Sequence, residues 1–236
     1  MISRFGAVLL LVAQTSLAAD VSNTSLIYMY GEGYKLGASG RHLLTVEHFT
    51  SHGLGDAFFF LDVSSPFSSS ELGFYGELVL NWSSRKLLRG GVGYGELLKD
   101  VSVATSLEFA PAGAYLLGGA LDVGVPLFRV FRVTPYLRCS KDLSKLSFQV
   151  TWVWALPFTV GPTHWSFEGF LDYALTDGGT KFNLQTQPRL LLDAGGLLFS
   201  REKTLWVGVE YQAWVNKFGK DGVTESLPQY MARWMW

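Results

Sequence analysis

Apolar and polar residues alternate with a period of two along almost the whole chain, and this pattern limits the fold more than any other feature. In the clearest run, residues 71–82, one face is apolar and the other carries both glutamates. Residues 101–109 and 146–156 repeat the pattern. Successive side chains of a strand point to opposite faces, whereas an amphipathic helix repeats every 3.6 residues. The pattern therefore predicts an all-β protein.

About twelve strands are predicted, each roughly ten residues long, with short turns and longer loops alternating between them. Their approximate ranges are 25–34, 42–50, 57–63, 71–82, 101–109, 113–125, 130–138, 146–156, 164–175, 181–193, 204–216 and 227–236.

The first 18 residues have the composition of a signal peptide. Arg4 precedes an apolar run from Phe5 to Val12, and the small-residue pattern Ser16-Leu17-Ala18 follows. The apolar run is too short to span a bilayer. We expect cleavage after Ala18, which leaves residues 19–236 as one exported domain.

Composition narrows the choice of environment. Hydrophobic residues make up 48% of the chain and charged residues only 17%, against roughly 25% charged residues in soluble domains. The net charge of -1 provides no basic face for nucleic acid. The single cysteine, Cys139, excludes an intramolecular disulfide. A soluble sandwich is disfavoured because the faces opposite the apolar rows carry few lysines.

In lipid every backbone polar group must be paired within the protein, so a large sheet has to close on itself. The sequence therefore predicts a transmembrane antiparallel β-barrel of about twelve strands in the bacterial outer membrane. The final stretch, QYMARWMW, fits a closing strand with an aromatic row towards lipid and Arg233 turned inwards.

Five fragments occur in an order that resembles a known family. They are TVEHFTSHGLGDAFFFLDVSSP (residues 45–66), FYGEL (74–78), LKDVSVATSLEFA (98–110), GFLDY (169–173) and VEYQAWVNKFG (209–219). Together they resemble the Tsx-type nucleoside-specific channels of Gram-negative outer membranes. The resemblance implies a monomeric twelve-stranded barrel that passes nucleosides by diffusion through a narrow lumen. The chain departs from the family in ending on Trp236 rather than Phe, and it matches only loosely around residues 129–142.

A nucleoside offers a base that can stack and a ribose with adjacent hydroxyls, so aromatic faces and carboxylates suit a weak site. Passage requires that such a site hold the solute only loosely. The predicted lumenal residues are Glu47, Phe49, Phe58, Phe60, Asp62, Tyr75, Glu77, Glu108, Asp172, Arg189, Glu210 and Trp214. The same charged groups could instead pair with one another and only brace the barrel.

Other partners follow from the barrel prediction. We expect contact with outer-membrane lipid and lipopolysaccharide, whose phosphates could meet the basic start of the loop at Arg85, Lys86 and Arg89. We also expect recognition of the C-terminal strand by the barrel-assembly machinery. No cofactor is predicted. A metal is disfavoured because His48 and His52 have helical ligand spacing in a segment that is not helical.

Two alternatives remain open. His164 and Ser166 lie two residues apart on one face, a spacing compatible with a base and a nucleophile. This pair would suit a lipid-modifying barrel enzyme, which would need it near the lipid boundary. The other alternative is a structural barrel whose lumen is plugged by side chains.

Replacing both Glu47 and Asp62 by Ala tests the predicted binding role. We expect nucleoside flux to fall more than the flux of a sugar of similar size, because only the nucleoside uses these carboxylates as a site. Flux into vesicles measures both, and an equal loss for the two solutes would argue against binding.

Overall fold

The computed structural model describes residues 19–68, 71–88, 94–110, 113–141, 144–176 and 179–236. The predicted signal peptide lies outside the described residues. The strands are β1 (Ala19–Glu32), β2 (Gly40–His52), β3 (Gly55–Ser64), β4 (Gly73–Ser83), β5 (Leu98–Phe109), β6 (Ala114–Val123), β7 (Val130–Ser140), β8 (Leu146–Val160), β9 (Thr163–Ala174), β10 (Asn183–Thr186), β11 (Arg189–Asp193), β12 (Leu205–Val215) and β13 (Glu225–Met235). Two short helices, α1 (Ser84–Leu87) and α2 (Ala194–Phe199), lie in connections, and a 3-10 turn covers Lys217–Gly219.

The sheet closes into a barrel. Strands β1 to β9 pair antiparallel with their neighbours along the chain, and β1 also pairs with β13. Strands β10 and β11 both lie between β9 and β12, so they form one barrel strand in two pieces. The thirteen strand segments therefore occupy twelve positions around the barrel. The predicted fold class is confirmed.

The break between β10 and β11 corrects the prediction of one continuous strand over residues 181–193. Pro188 has no N–H to donate to the ladder, which interrupts regular pairing at this point. The chain still forms hydrogen bonds to both neighbouring strands at this break. Gln187 N donates to Phe170 O on β9 at 3.1 Å, and Tyr211 N on β12 donates to Pro188 O at 2.8 Å. Gly169 on β9 allows Gln187 to approach this strand closely, because a Cβ at position 169 would lie 2.6 Å from Gln187 O.

The two faces of the barrel wall match the predicted alternation. Tyr230 and Trp234 on β13 and Trp236 directly after it are 69%, 46% and 65% exposed on the outside. Gln229 and Arg233 point inwards and are buried. The alternation on β4, β5 and β8 also places the apolar rows outside and the polar rows inside. In this fold the core is therefore the barrel interior, and the apolar surface faces outwards.

Aromatic side chains mark both edges of this outer surface. The barrel end that holds Ala19 and Trp236, named here the terminal end, carries outward tryptophans near the strand ends: Trp82, Trp165, Trp234 and Trp236. The opposite end, named the far end, carries outward tyrosines: Tyr30, Tyr115 and Tyr173. Tryptophan and tyrosine favour the interfaces between membrane and water, so the two rows fit the borders of a lipid belt. Neither helix in the described part of the chain is long and apolar enough to cross a membrane.

Gly169→Ala tests the strand break. The added Cβ would lie 2.6 Å from Gln187 O and 2.8 Å from the Pro188 Cα, so the wall must shift. We expect a loss of about 1–3 kcal/mol in the free energy of unfolding, measured by denaturant titration with tryptophan fluorescence. Gly53→Ala is the matched control, since a Cβ at Gly53 meets nothing within 4 Å. Equal stability of the two variants would contradict the assigned role of Gly169.

Candidate functional site: the lumen

All twelve predicted site residues lie on the inner face of the barrel. Their strand register aligns them with other inward residues, as in the chain of neighbours Thr45, Asp62 and Tyr75 across β2, β3 and β4. A second chain of neighbours joins Glu47, Phe60, Glu77 and Glu108 across β2 to β5. The structure thus brings the predicted residues into one lumen. Their part in solute binding stays a prediction.

The wall formed by β2, β3 and β4 combines aromatic rings with carboxylates. The Phe60 ring lies 6.0 Å from the Phe58 ring and 5.7 Å from the Tyr75 ring, measured between centroids. Asp62 Oδ1 accepts a hydrogen bond from Thr45 Oγ1 at 2.5 Å. Phe49 lies opposite Phe58, towards the terminal end of the lumen. Rings and carboxylates therefore lie side by side on this wall.

Arg189 joins two sides of the lumen. Its Nη1 lies 2.8 Å from Glu47 Oε1 on β2, and its Nε lies 2.6 Å from Glu210 Oε2 on the neighbouring strand β12. Gln229 Nε2 donates to the other Glu210 oxygen at 2.7 Å. Along the wall, β12, β13 and β1 separate β11 from β2. The bond from Arg189 to Glu47 therefore crosses the barrel interior.

Arg132 makes a second crossing, nearer the terminal end. Its two terminal nitrogens donate to both oxygens of Asp56 on β3, at 2.9 and 2.8 Å. Its Nε donates to Asp122 Oδ1 on the adjacent strand β6 at 2.6 Å. Asn81 Nδ2 also donates to Asp56 Oδ1, at 2.7 Å. Three strands, β4, β5 and β6, lie between β3 and β7 along the wall.

Two further arginines link strands on the lumenal face. Arg138 on β7 donates to Glu108 Oε2 on β5 at 2.6 Å. Arg233 on β13 pairs with Glu168 on β9, which also accepts from Ser166 Oγ at 2.8 Å. These contacts satisfy charges that would be costly to leave unpaired in the barrel interior.

Three lumenal carboxylates have hydroxyl partners instead of basic ones. Within the described residues, Asp62, Glu77 and Asp172 form no ion pair, and each accepts a hydrogen bond from a neighbouring hydroxyl group. The bond from Thr151 Oγ1 to Asp172 Oδ1 measures 2.5 Å, and Thr151 in turn accepts from Gln149 at 3.1 Å. Among the described residues, the lumen thus contains three carboxyl groups that have no basic partner.

A buried ion pair sits at the far end of the lumen, where sequence reasoning proposed only Trp214. Lys217 Nζ lies 2.6 Å from Glu225 Oε2 and 4.3 Å from the centre of the Trp214 ring. Burial lowers the pKa of Lys217, opposed by its hydrogen bond to Glu225. Tyr34 from the β1–β2 loop closes over the same site and donates to Gln229, and burial raises the pKa of its phenol.

Asp122 was not among the lumenal residues predicted from the sequence, and Asp56 was noted only as part of a fragment that resembles the Tsx-type family. The alternation along β3 and β6 contains the signal for their inward orientation, because Asp56 shares a face with Phe58 and Asp122 shares one with Ala120. Nothing in the local sequence indicates that both bind Arg132.

His164 and Ser166, the pair that the alternative enzymatic reading would use, bind different partners. Ser166 donates to Glu168 at 2.8 Å, and His164 Nε2 lies 3.9 Å from Glu202. The histidines at 48 and 52 also have separate surroundings, since His48 contacts Thr24 and His52 accepts from Leu54 N. Among the described residues, no group of three or more His, Cys, Asp or Glu side chains is arranged to hold a metal.

The basic loop start lies at the terminal end. Lys86 Nζ donates to Ser51 Oγ at 2.9 Å and to His52 O at 2.7 Å, so it fastens α1 to the β2–β3 turn. Arg89, the third basic residue of the predicted lipopolysaccharide contact, lies outside the described residues.

Comparison with known proteins supports the barrel. No protein-family model matches the chain, and no curated protein matches it. Among solved structures, the chain is similar to the KdgM porin, with a TM-score of 0.53, 9% sequence identity, and coverage of 89% of this chain and 98% of the porin. A structure of the KdgM porin in complex with disordered oligogalacturonate matches equally well, with a TM-score of 0.53, 9% identity, and the same 89% and 98% coverage. At this identity the likeness concerns the fold: the chain has a porin-like barrel, and membership of the Tsx-type family stays a prediction.

Lys217→Met tests the far-end ion pair. The substitution leaves Glu225 buried without its cation, so we expect a loss of about 3–5 kcal/mol in the free energy of unfolding. Lys220→Met, which removes an exposed lysine from the same turn, is the control and should unfold as the wild type does. Denaturant titration measures both, and a Lys217→Met variant as stable as the control would show that the pair contributes nothing.

Proposed function

We propose that the protein is a passive outer-membrane channel for small polar solutes. One observation carries the proposal: a closed barrel with an apolar exterior has an interior lined by charged, amide and aromatic side chains. An exterior of this kind suits lipid, and a polar interior suits water and solutes. The similarity to the KdgM porin fold supports the same function. The closed ladder leaves no strand edge to be covered, which supports a monomer.

The charge of the lining favours uncharged or cationic solutes. In the ion pairs of the lumen, seven carboxylates contact five basic groups: Glu47, Asp56, Glu108, Asp122, Glu168, Glu210 and Glu225 against Arg132, Arg138, Arg189, Lys217 and Arg233. Asp62, Glu77 and Asp172 add three carboxyl groups that bind hydroxyl groups instead. An oligogalacturonate, as found with the KdgM porin, is a polyanion, and this lining would repel it. The solute of this barrel is therefore of a different charge class.

Nucleosides fit this charge class. Phe58, Phe60 and Tyr75 form an aromatic row on which a base could stack. Asp62 and Glu77 lie on the same wall, where their oxygens could accept hydrogen bonds from ribose hydroxyls. This support comes from the chemistry of the lining together with the resemblance of the five sequence fragments.

Contacts with other components of the outer membrane follow from the outer surface. The rows of outward tryptophan and tyrosine would lie at the two membrane interfaces, in contact with lipid and, in one leaflet, with lipopolysaccharide. The barrel-assembly machinery would bind β13, whose outward aromatic residues end on Trp236.

A plugged structural barrel is the second candidate. The arginine bonds that cross the lumen favour it, since they occupy space that a solute would need.

Swelling of liposomes that contain the refolded protein distinguishes the two candidates. We expect a nucleoside to enter faster than a sugar of similar size, with entry inhibited by an excess of a second nucleoside. Galacturonate should enter more slowly than both, because the lining repels anions. Entry of no solute would remove the channel proposal and favour the plugged barrel, and equal entry of nucleoside and sugar would remove the nucleoside preference alone.

A further inference from the structure

The two crossing arginines divide the barrel interior into three regions. Along the wall, the bond from Arg189 to Glu47 encloses β12, β13 and β1 on one side. The bond from Arg132 to Asp56 encloses β4, β5 and β6 on the other side. Between these bonds lie β2 and β3, which face β7, β8, β9 and the broken strand β10–β11.

The region behind Arg189 contains an apolar cluster. Its members point inwards from β1, β11, β12 and β13, and they are Ile27, Met29, Leu191, Trp206 and Met231. Ile27 and Leu191 are fully buried, so side chains fill this part of the interior. A polar solute would find no space within this cluster.

The region behind Arg132 contains a second apolar cluster. It comprises Ala104, Ala114, Leu116, Ala120 and Tyr136, from β5, β6 and β7. Small residues let the Tyr136 ring lie against the wall, since a Cβ at Gly118 would meet that ring at 2.8 Å. Ala104 and Ala120 are 0% and 1% exposed. This part of the interior is filled as well.

The remaining region differs in chemistry. Phe58, Phe60 and Asp62 line it from β3, and all three are inward in register. Thr151, Phe170, Asp172 and Gln185 line it from β8, β9 and β10. Asp62 and Asp172, two of the three carboxylates without an ion pair, lie on its opposite sides, and both are partly exposed.

We infer that solutes pass through a slot between the two arginine crossings, and that Arg189 and Arg132 set its width and exclude the two filled regions. The inference rests on the proposed channel function and names its path and solute class. Aromatic rings on one side and carboxylate and amide groups on both sides suit a planar, uncharged or cationic heterocycle with polar edges. The arginines are positioning residues that hold the walls of the slot, while the groups that meet the solute are those between them.

Cysteine accessibility tests the slot. In a Cys139→Ser background, Thr151→Cys and Gln185→Cys place thiols in the slot, whereas Ala104→Cys and Ala120→Cys place them behind Arg132. A cationic methanethiosulfonate reagent is added to protein refolded in vesicles, and the modified fraction is followed by mass spectrometry. We expect the slot thiols to react at least tenfold faster than the two enclosed ones. Equal rates in both pairs, or unreactive slot thiols, would overturn the inference.

Removing one crossing should expose only the region behind it. In Arg189→Gln, a thiol at position 27 should become reactive while one at 104 stays protected, and Arg132→Gln should give the reverse. Glu210→Gln is the matched control, because it removes the negative charge of the Arg189 partner on the adjacent strand and leaves the crossing bond to Glu47. Exposure of both regions by either variant would indicate general loosening of the barrel and contradict the role of two separate boundaries.

Conductance across a planar bilayer separates this inference from the proposed function. We expect Arg189→Gln to raise conductance and cation preference, since the lumen widens and loses a positive charge. Glu47→Gln should also raise conductance but lower cation preference, because it opens the same crossing by removing a carboxylate. Conductance that neither variant changes would overturn the role of Arg189 while the channel function stands. If no variant conducts although the slot thiols react, the channel function itself fails.

Discussion

The closed backbone ladder is the constraint on which the rest of this structure depends. A strand in lipid cannot leave its N–H and C=O groups unpaired, and the pairing of β1 with β13 removes the last free edge. Because the sheet is closed, the side chains of each strand point alternately into the lumen and to the outside. The apolar rows therefore form a continuous outer surface, and nearly all charged side chains of the strands are confined to the interior.

Confining these charges to the interior creates a second constraint, because a charge inside a barrel needs partners. Arg189 and Arg132 satisfy it by binding carboxylates on both their own side and the other side of the lumen. The same bonds shape the space that is left. The charged network thus stabilises the interior, and in the proposed channel the same network also sets where a solute could pass.

Apolar side chains have two different roles in this barrel. Outside they form an apolar surface, with tryptophan and tyrosine at its borders, which the proposed function assigns to lipid. Inside they form two clusters that fill the regions behind the arginine crossings. This inner filling is consistent with a narrow lumen, and it explains why an inward face can carry Ile27 or Leu191 without contradicting a polar passage.

The sequence by itself determined the barrel, the position of nearly every strand and which strand residues share a face. Alternation is a local property of each strand, and once the sheet closes, one face of every strand points into the lumen and the other points outwards. The sequence also supplied several of the lumenal charges, among them Glu47, Glu210 and Arg189, but neither Asp122 nor the pair of Lys217 and Glu225. The tertiary structure decided which charges bind each other, since Arg189 and Glu47 are 142 residues apart and Arg132 and Asp56 are 76 apart. It also decided that Pro188 would split one strand in two, because the adjacent strand offers Gly169 at that point. Such pairings depend on the curvature and register of the closed sheet, and no local pattern in the chain encodes them.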